Sequence, residues 1–574
     1  VSGPGAGTVR DAAIAVLRAQ GLTTVFANPG STEVAFLADL PDDLRFVLAL
    51  HEGSVVGMAT GWAIARGRAA LVQLHTTAGL GNAVGALATA RANRAPLVVL
   101  VGQQDRRHLA LEPFLTGRLR GLAGEYPVWF CEPAVPQDVP GAIARARYEA
   151  EHGRGPAVVV VPQGDWSAPA GGADHPDAAP ARVVRSATAE AADVEGVAAL
   201  LADAAAPALV TGAGTDSEEG WQALRVLAER LGAPVFQESF GARAGFPQDH
   251  PLYAGVLPAD RDGLRARLGG HDAVLAVGAP VFRQYPYREG PLTAQGTRLA
   301  VLTDDPSEAH RAPVEVAVVA PIAPALRLLA AQVPARADGV RPGGARPGDA
   351  GPGDAGPGDA RPGDAGTAPE ETRGSGGDGE GAPANAAPAP SPLRPAQVLG
   401  ALAERMDPDT VLVEETPSSR PDLHRLVPAR RPMGFLSAAM GGLGFALPAA
   451  TGVRMAAPDR PVVAVVGDGS SLYQVQALWS AARYAAGALF IVLSNGRYAV
   501  MDRLAEGHGG KAPWPDFAQV SVASLARGLG CPARTAATLD EVEAALDEIL
   551  PGLRGRTEPL VLDIAVAPDP GFRP

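Results

Sequence analysis

The stretch Pro461-Val462-Val463-Ala464-Val465-Val466-Gly467-Asp468-Gly469-Ser470 reads as an apolar strand running into a glycine-flanked aspartate. A helical pattern from Ser470 to Tyr484 follows, then a second apolar strand, Ala488 to Leu493, that ends in Ser494-Asn495-Gly496. Strand, helix and strand in that order make a βαβ unit with parallel strands. Such a unit sets Asp468 and Asn495 side by side at the carboxyl ends of two strands, where α/β sheets hold ligands. A carboxylate and an amide oxygen are hard ligands suited to Mg²⁺, which keeps its other positions for phosphate oxygens. Gly467 and Gly469 let the backbone approach a diphosphate, and the N-terminus of the following helix favours negative charge. Gly-Asp-Gly or Asn-Gly alone would be an ordinary turn. Their pairing across one βαβ unit points to a metal-bound diphosphate.

Upstream, the same alternation recurs. Val9, Ala12, Ala13, Val16 and Leu17 share one helical face, with Thr8 and Asp11 as start signals. Strands are expected at Thr24 to Ala27, Arg45 to Leu50, Ala70 to Leu74 and Pro96 to Val101. Between them fall the loop Asn28-Pro29-Gly30-Ser31 with a short helix, a helix from Gly53 to Ala65, and another from Leu80 to Ala92. Apolar strands separated by helices predict a doubly wound parallel sheet over residues 1–180. A second such domain is expected over 189–333, with strands Ala208 to Thr211, Asp272 to Val277 and Arg298 to Thr303 and a helix from Glu218 to Leu231. Its Gly212 and Gly214 lack the third glycine of a dinucleotide fingerprint, so an ordinary βα turn is the better reading and the domain reads as structural. Residues 334–392 collapse into Gly, Pro, Ala and Asp, with five tandem five-residue units beginning at Arg341, Arg346, Gly351, Gly356 and Arg361. With almost nothing to bury, this segment reads as a disordered linker. The third α/β domain, 393–574, carries the opening motif.

Composition excludes several classes. A formal charge of −13 over 574 residues argues against nucleic acid or an anionic membrane as partner. No apolar run approaches membrane-spanning length, and Val1 to Gln20 lacks a signal-type segment. Cys131 and Cys531 cannot build a disulfide framework, which suits a reduced, cytoplasmic setting. The single lysine, Lys511, lies in a Gly-rich loop, so neither a pyridoxal Schiff base nor a Walker-type nucleotide loop has its lysine.

The paired Gly-Asp-Gly-Ser and Asn-Gly motifs resemble the thiamine diphosphate fingerprint. Three further stretches, Phe26 to Glu33, Ala49 to Gly57 and Leu74 to Gly79 with Gly81-Asn82, are similar to the pyrimidine-binding domain of the thiamine-diphosphate-dependent 2-oxo acid decarboxylase superfamily. Gly441 to Pro448 continues the likeness, which is greatest to the benzoylformate decarboxylases. The resemblance implies pyrimidine-binding, middle and diphosphate-binding domains. It also implies thiamine diphosphate and Mg²⁺ as cofactors, and a homotetramer, a dimer of dimers, whose sites form between the first domain of one subunit and the third of another.

By the same resemblance, Glu52 matches the glutamate that touches the aminopyrimidine and helps deprotonate the reactive ring carbon. Ser31 matches the serine that meets the substrate carboxylate, and His75 a proton-relaying histidine. Leu443 matches the apolar wedge that bends the cofactor. Asp468, Asn495 and the Arg497 carbonyl match the metal ligands. Gly30, Ser418, Gly442, Gly467, Gly469, Ser470, Tyr473 and Tyr498 complete the expected cofactor contacts.

The departures concern substrate. After Gly278-Ala279-Pro280-Val281-Phe282-Arg283, Tyr285 stands where the relatives carry a second histidine, and a phenol with a pKa near about 10 relays protons poorly at neutrality. Ser437 and Leu504 replace pocket phenylalanines, while Phe114, Leu115, Val500 and Met501 complete the expected pocket. The expected activity is therefore decarboxylation of an aryl or bulky 2-oxo acid to an aldehyde. The alternatives are a carboligase that joins the acyl unit to an aldehyde or keto acid, and a protein that binds the cofactor without turning over. Flavin dependence of the acetolactate synthase kind has no motif calling for it.

Overall fold

A computed structural model describes residues 7–171, 183, 188–336 and 392–568. The expected linker lies outside them except for residues 334–336 and 392. The described chain builds three six-stranded sheets, each with every strand pair parallel. The first runs Arg45–Leu48, Thr24–Asn28, Ala70–Leu74, Leu97–Gln103, Pro156–Pro162 and Trp129–Cys131. The second runs Val316–Val319, Arg298–Thr303, Ala273–Val277, Pro207–Thr211, Val235–Gln237 and Tyr253–Val256. The third runs Phe435–Ser437, Val411–Glu415, Val462–Gly467, Leu489–Ser494, Leu560–Ala565 and Ala533–Ala536. Central strands such as Leu97–Gln103 and Pro156–Pro162 are buried along their whole length because helices cover both faces. That is why they read as unbroken apolar runs.

In the third sheet, Val462–Gly467 pairs directly with Leu489–Ser494, so Gly467 stands opposite Leu493 and the two motif turns leave the sheet side by side. The helix expected from Ser470 to Tyr484 is broken. Asp468–Ser471 is α-helical, Leu472–Gln474 tightens to a 3₁₀ turn, and a second helix spans Ala477–Arg483. Two interactions compete with a continuous helix. Ser471 Oγ donates to the Asp468 carbonyl at 2.7 Å, and the Gln474 side chain is drawn to the first domain, where Ser54 Oγ donates to it at 2.6 Å.

The first and third domains meet along helices Glu52–Arg66 and Ala446–Ala456. Helix Glu52–Arg66 is buried from Glu52 through Ile64, because its own sheet lies on one side and the third domain on the other. Glycines set the distance. A Cβ at Gly452 would lie 1.9 Å from the Met58 carbonyl oxygen, and one at Gly61 would lie 2.2 Å from that of Ala449.

In the middle domain, Glu238 follows strand Val235–Gln237 and occupies the turn where a dinucleotide phosphate would approach Gly212. A Cβ on that glycine would lie 2.4 Å from Glu238 Oε1. Glu238 is buried, and its Oε2 has no hydrogen-bond partner among the described residues while facing Arg283 Nε at 3.9 Å. Burial, only partly offset by Arg283, pushes its carboxyl up to about 7. The folded protein therefore holds a proton that the unfolded chain has released, and stability falls as pH rises from the ordinary carboxylate range through about 7. Glu238→Gln is expected to gain stability relative to the parent between pH 5 and pH 8, by up to about 3 kcal/mol. Melting curves of both proteins across that range check this, and parallel pH profiles would refute it.

Candidate active site

In the third domain, Asp468 closes the strand and receives three backbone N–H groups: Gly469 at 2.9 Å on Oδ1, and Asn495 at 3.0 Å and Gly496 at 2.6 Å on Oδ2. It thereby locks the two turns together. Burial raises the Asp468 carboxyl, and the three N–H groups pull against that rise. Asn495 Oδ1 accepts the Arg497 N–H at 3.0 Å, while the Arg497 side chain turns to Asp502. Gly496 has a φ of +70°, which favours glycine. A Cβ on Gly469 would strike the Tyr498 ring at 2.7 Å, so Tyr498 packs on the bare α-carbon of the turn after Asp468.

A cleft at these strand ends is lined by Thr416, Ser418, Ser419, Gly467, Leu493 and Asn495. It tests whether a diphosphate fits. Thr416 Oγ1 is buried in its wall with no hydrogen-bond partner among the described residues. Gly467 is demanded by neither backbone nor neighbours, since its φ is −72° and a Cβ there would meet nothing closer than Ser470 Oγ at 3.7 Å. A donor lacking a partner and a glycine that the protein itself does not require both fit a phosphate-bearing ligand. One carboxylate, one amide and one carbonyl oxygen fit a hard divalent cation. Ser470 is buried in the first turn after Asp468, and Tyr473 is exposed at the 3₁₀ turn.

In the first domain, the Glu52 side chain accepts from Asn28 Nδ2 at 3.0 Å and from Asn82 Nδ2 at 3.1 Å. It opens helix Glu52–Arg66, with His51 as the cap. His51 and Ser54, flanking Glu52, both contact Gln474 of the third domain. His75 follows strand Ala70–Leu74, and the next residue, Thr76, is buried with φ +34°, a strained backbone for a β-branched residue. His75 Nδ1 lies 3.0 Å from Glu33 Oε2 and 2.9 Å from Thr32 Oγ1, while that hydroxyl donates to Glu33 Oε1 at 2.5 Å. With the threonine proton already committed, Nδ1 carries the imidazole proton and Nε2 is left as the acceptor. Gly30 makes room for this arrangement, because a Cβ there would lie 2.4 Å from the His75 ring, and its N–H donates to Glu33 at 2.8 Å. Ser31 is exposed beside them.

Leu443 is partly exposed between Gly442 and Gly444, on a turn where Gly441 and Gly444 have φ of +69° and +89°. Phe114, Tyr285 and Met501 are exposed, and Leu115 is held at φ +67°. Val500 and Leu504 are half-buried on helix Ala499–Gly507. Ser437 is the expected pocket residue that faces inward. It is buried, its hydroxyl donates to Glu414 at 2.8 Å, and Arg420 contacts both. A serine can satisfy that buried charge pair, which a phenylalanine at the same position could not.

The residues read from sequence thus form two clusters, Glu52 with His75 and Ser31, and Asp468 with Asn495 and Ser418. Sequence reading passed over the partners that hold them. Asn28 and Asn82 lay inside motifs already quoted, and Glu33 closed one of them. Gln474, which contacts His51 and Ser54, carried no local signal beyond its polarity.

Models of the N-terminal binding, central and C-terminal binding domains of thiamine pyrophosphate enzymes match residues 7–121, 194–329 and 418–564. With this site geometry and the full-length likenesses below, the chain belongs to the thiamine-diphosphate-dependent 2-oxo acid decarboxylase superfamily. Among curated proteins it is 38% identical to benzoylformate decarboxylase of Pseudomonas aeruginosa, over 95% of this chain and 96% of that protein. Among solved structures it is similar to the thiamine diphosphate-dependent 4-hydroxybenzoylformate decarboxylase of Rhodococcus jostii, with a TM-score of 0.85 and 35% identity, covering 98% of this chain and all of that one. Benzoylformate decarboxylase from Polynucleobacter necessarius gives the same TM-score at 31% identity, over 99% of this chain and 100% of its own. Among the described residues, no helix is long and apolar enough to cross a membrane.

Proposed function

We propose that this protein decarboxylates an aryl 2-oxo acid of the benzoylformate type to an aldehyde and CO₂, using thiamine diphosphate held through Mg²⁺. The observation that carries the reading is one fold bearing both Glu52 between two amides and Asp468 locked to the Asn495 turn. Bound thiamine diphosphate supplies an electron-accepting ring that a 2-oxo acid needs in order to lose CO₂.

Asp468, Asn495 and the Arg497 carbonyl would hold the metal, and Thr416, Ser418 and the Gly467–Ser470 turn the diphosphate. Tyr498 and Tyr473 flank that turn, and Gly442 and Leu443 present the wedge. Glu52, its carboxylate oriented by Asn28 and Asn82, would hold or give up a proton where the aminopyrimidine would bind. Ser31 binds the substrate carboxylate. His75 passes a proton through Nε2, with Glu33 holding Nδ1–H so that the ring has one orientation and one tautomer. Phe114, Leu115, Val500, Met501 and Leu504 offer apolar surface for an aromatic side chain, with Tyr285 at the rim.

The large exposed side chains Leu111, Phe114, Tyr285 and Tyr287 support a homotetrameric reading in which a second subunit covers them. The division into domains at 1–180, 189–333 and 393–574 belongs to this reading. So does a cytoplasmic location, which free rather than disulfide-bonded Cys131 and Cys531 favour.

Product analysis with thiamine diphosphate, Mg²⁺ and a panel of aryl and alkyl 2-oxo acids, with and without acceptor aldehydes, tests the activity. Aldehyde and CO₂ in near-equal amounts, highest with aryl substrates, are expected. A predominance of acyloin would make carboligation the activity, an outcome to which Tyr285 in place of a proton-relaying histidine gives a physical basis. Bound cofactor without turnover on any substrate would overturn both.

A further inference from the structure

The segment from Ser437 to Ala446 carries Leu443, and beyond one turn bond of its own, from the Gly441 N–H to the Ala438 carbonyl at 3.0 Å, it is held by other segments. Met440 and Leu443 at its tip are exposed, whereas both ends are buried and bonded by side chains of other segments. At the first end stands Asn93, which is fully buried after helix Thr76–Ala92 of the first domain. Its Nδ2 donates to the Ser437 carbonyl at 2.9 Å and its Oδ1 accepts the Ala439 N–H at 2.8 Å, so the amide is satisfied on both sides by one short piece of backbone. The middle domain adds Arg283, whose Nη1 donates to the Ala439 carbonyl at 2.9 Å, and the Ala242 carbonyl, which accepts the Ser437 N–H at 2.8 Å. At the other end, the buried Glu415 carboxylate receives three successive N–H groups, Gly444 at 2.6 Å on Oε1, and Phe445 at 2.8 Å and Ala446 at 2.6 Å on Oε2. Three donors on one side chain leave the turn no freedom at its exit.

We propose that Asn93 and Glu415 are positioning residues for the cofactor pocket: from two different domains they fix the two ends of the turn that presents Leu443 to the bound cofactor. The inference rests on the reading of Leu443 as the cofactor wedge. Both side chains are spent on the backbone at the ends of the turn, so each would act through the placement of Leu443. The diphosphate end is held by Asp468 and its neighbours on a different turn, independent of Asn93 and joined to Glu415 only through its chain neighbour Thr416, whose hydroxyl Glu415→Gln leaves in place.

That independence makes the test selective. The full-length parent, Asn93→Ala, Glu415→Gln and Leu443→Ala are titrated with thiamine diphosphate and, separately, with inorganic diphosphate, both with Mg²⁺, following intrinsic tryptophan fluorescence. Removing a hydrogen-bond partner from buried backbone in Asn93→Ala and Glu415→Gln, or the apolar wedge itself in Leu443→Ala, is expected to weaken thiamine diphosphate by about tenfold or more. Inorganic diphosphate affinity is expected to stay within about twofold. Combining Asn93→Ala with Leu443→Ala should weaken binding little beyond Leu443→Ala alone, the signature of two residues acting through one contact.

Equal losses for both ligands, or losses that add fully in the double variant, would show that Asn93 only supports the fold and would overturn the proposal. So would unchanged thiamine diphosphate affinity in folded variants. If Asn93→Ala does not fold, Glu415→Gln, which keeps the size of the side chain, decides alone by the same selectivity. Failure of Leu443→Ala to weaken thiamine diphosphate would instead remove the underlying wedge reading.

Discussion

Glu52→Gln is expected to lower kcat/KM by about 10²- to 10⁴-fold, the range associated with removing a positioned acid–base group. The substitution keeps the size of the side chain and one carbonyl oxygen to accept from Asn28 or Asn82, both of which now donate to the carboxylate. The fold and the cleft at Thr416, Ser418 and Gly467, which shares no residue with this pair, should be undisturbed. On the proposed reading, what is lost is a carboxyl able to hold and give up a proton beside the bound cofactor. Steady-state kinetics at saturating thiamine diphosphate and Mg²⁺, beside a melting curve and a cofactor titration, separate the two effects. A variant within about tenfold of the parent would remove Glu52 from the proton path.

The largest loss of stability is expected from Gly452→Val. A Cβ at that position lies 1.9 Å from the Met58 carbonyl oxygen, and backbone cannot swing aside as a flexible side chain can. The helices Glu52–Arg66 and Ala446–Ala456 must then separate, undoing close contacts at Gly57 and Gly61 as well. Overpacking costs about 1–3 kcal/mol where side chains can yield, and a clash with backbone belongs at or above the top of that range. Calorimetry should show a lowered melting temperature, and limited proteolysis should show earlier cleavage between the first and third domains. Gly400→Ala is the control, since a Cβ there meets nothing within 4 Å in helix Pro395–Arg405, and it should be neutral or stabilising by up to about 1 kcal/mol. Equal melting temperatures for Gly452→Val and the parent would mean that the two helices are not locked as described.

Much of this molecule was legible from its residues alone, for local physical reasons. Apolar runs of five to seven residues broken by helical patterns can only be covered parallel strands, and three sheets of that kind are present. The two turns that hold Asp468 and Asn495 follow from glycine and strand ends in one βαβ unit, and their pairing in the sheet places them together. The helix Glu218–Leu231 and the strand Ala70–Leu74 fall where their periodicity placed them. Other features depend on partners far along the chain, and no local pattern encodes them. The Ser470 to Tyr484 pattern is helical by periodicity, yet it breaks because Gln474 is bound by Ser54 from 420 positions away. Ser437 looks like a pocket residue by its place in a motif, yet Glu414 and Arg420 turn its hydroxyl inward. The candidate site was therefore legible in residue types and spacing, which brought together the groups proposed to bind the cofactor and exchange protons. The orientation of each reacting group was decided only by tertiary structure. Glu33, Asn93 and Glu415 are ordinary polar residues until folding buries them, and a buried polar group must then take whatever partner the packing brings within reach, while Asn28 and Asn82 are brought to Glu52 by the elements that carry them.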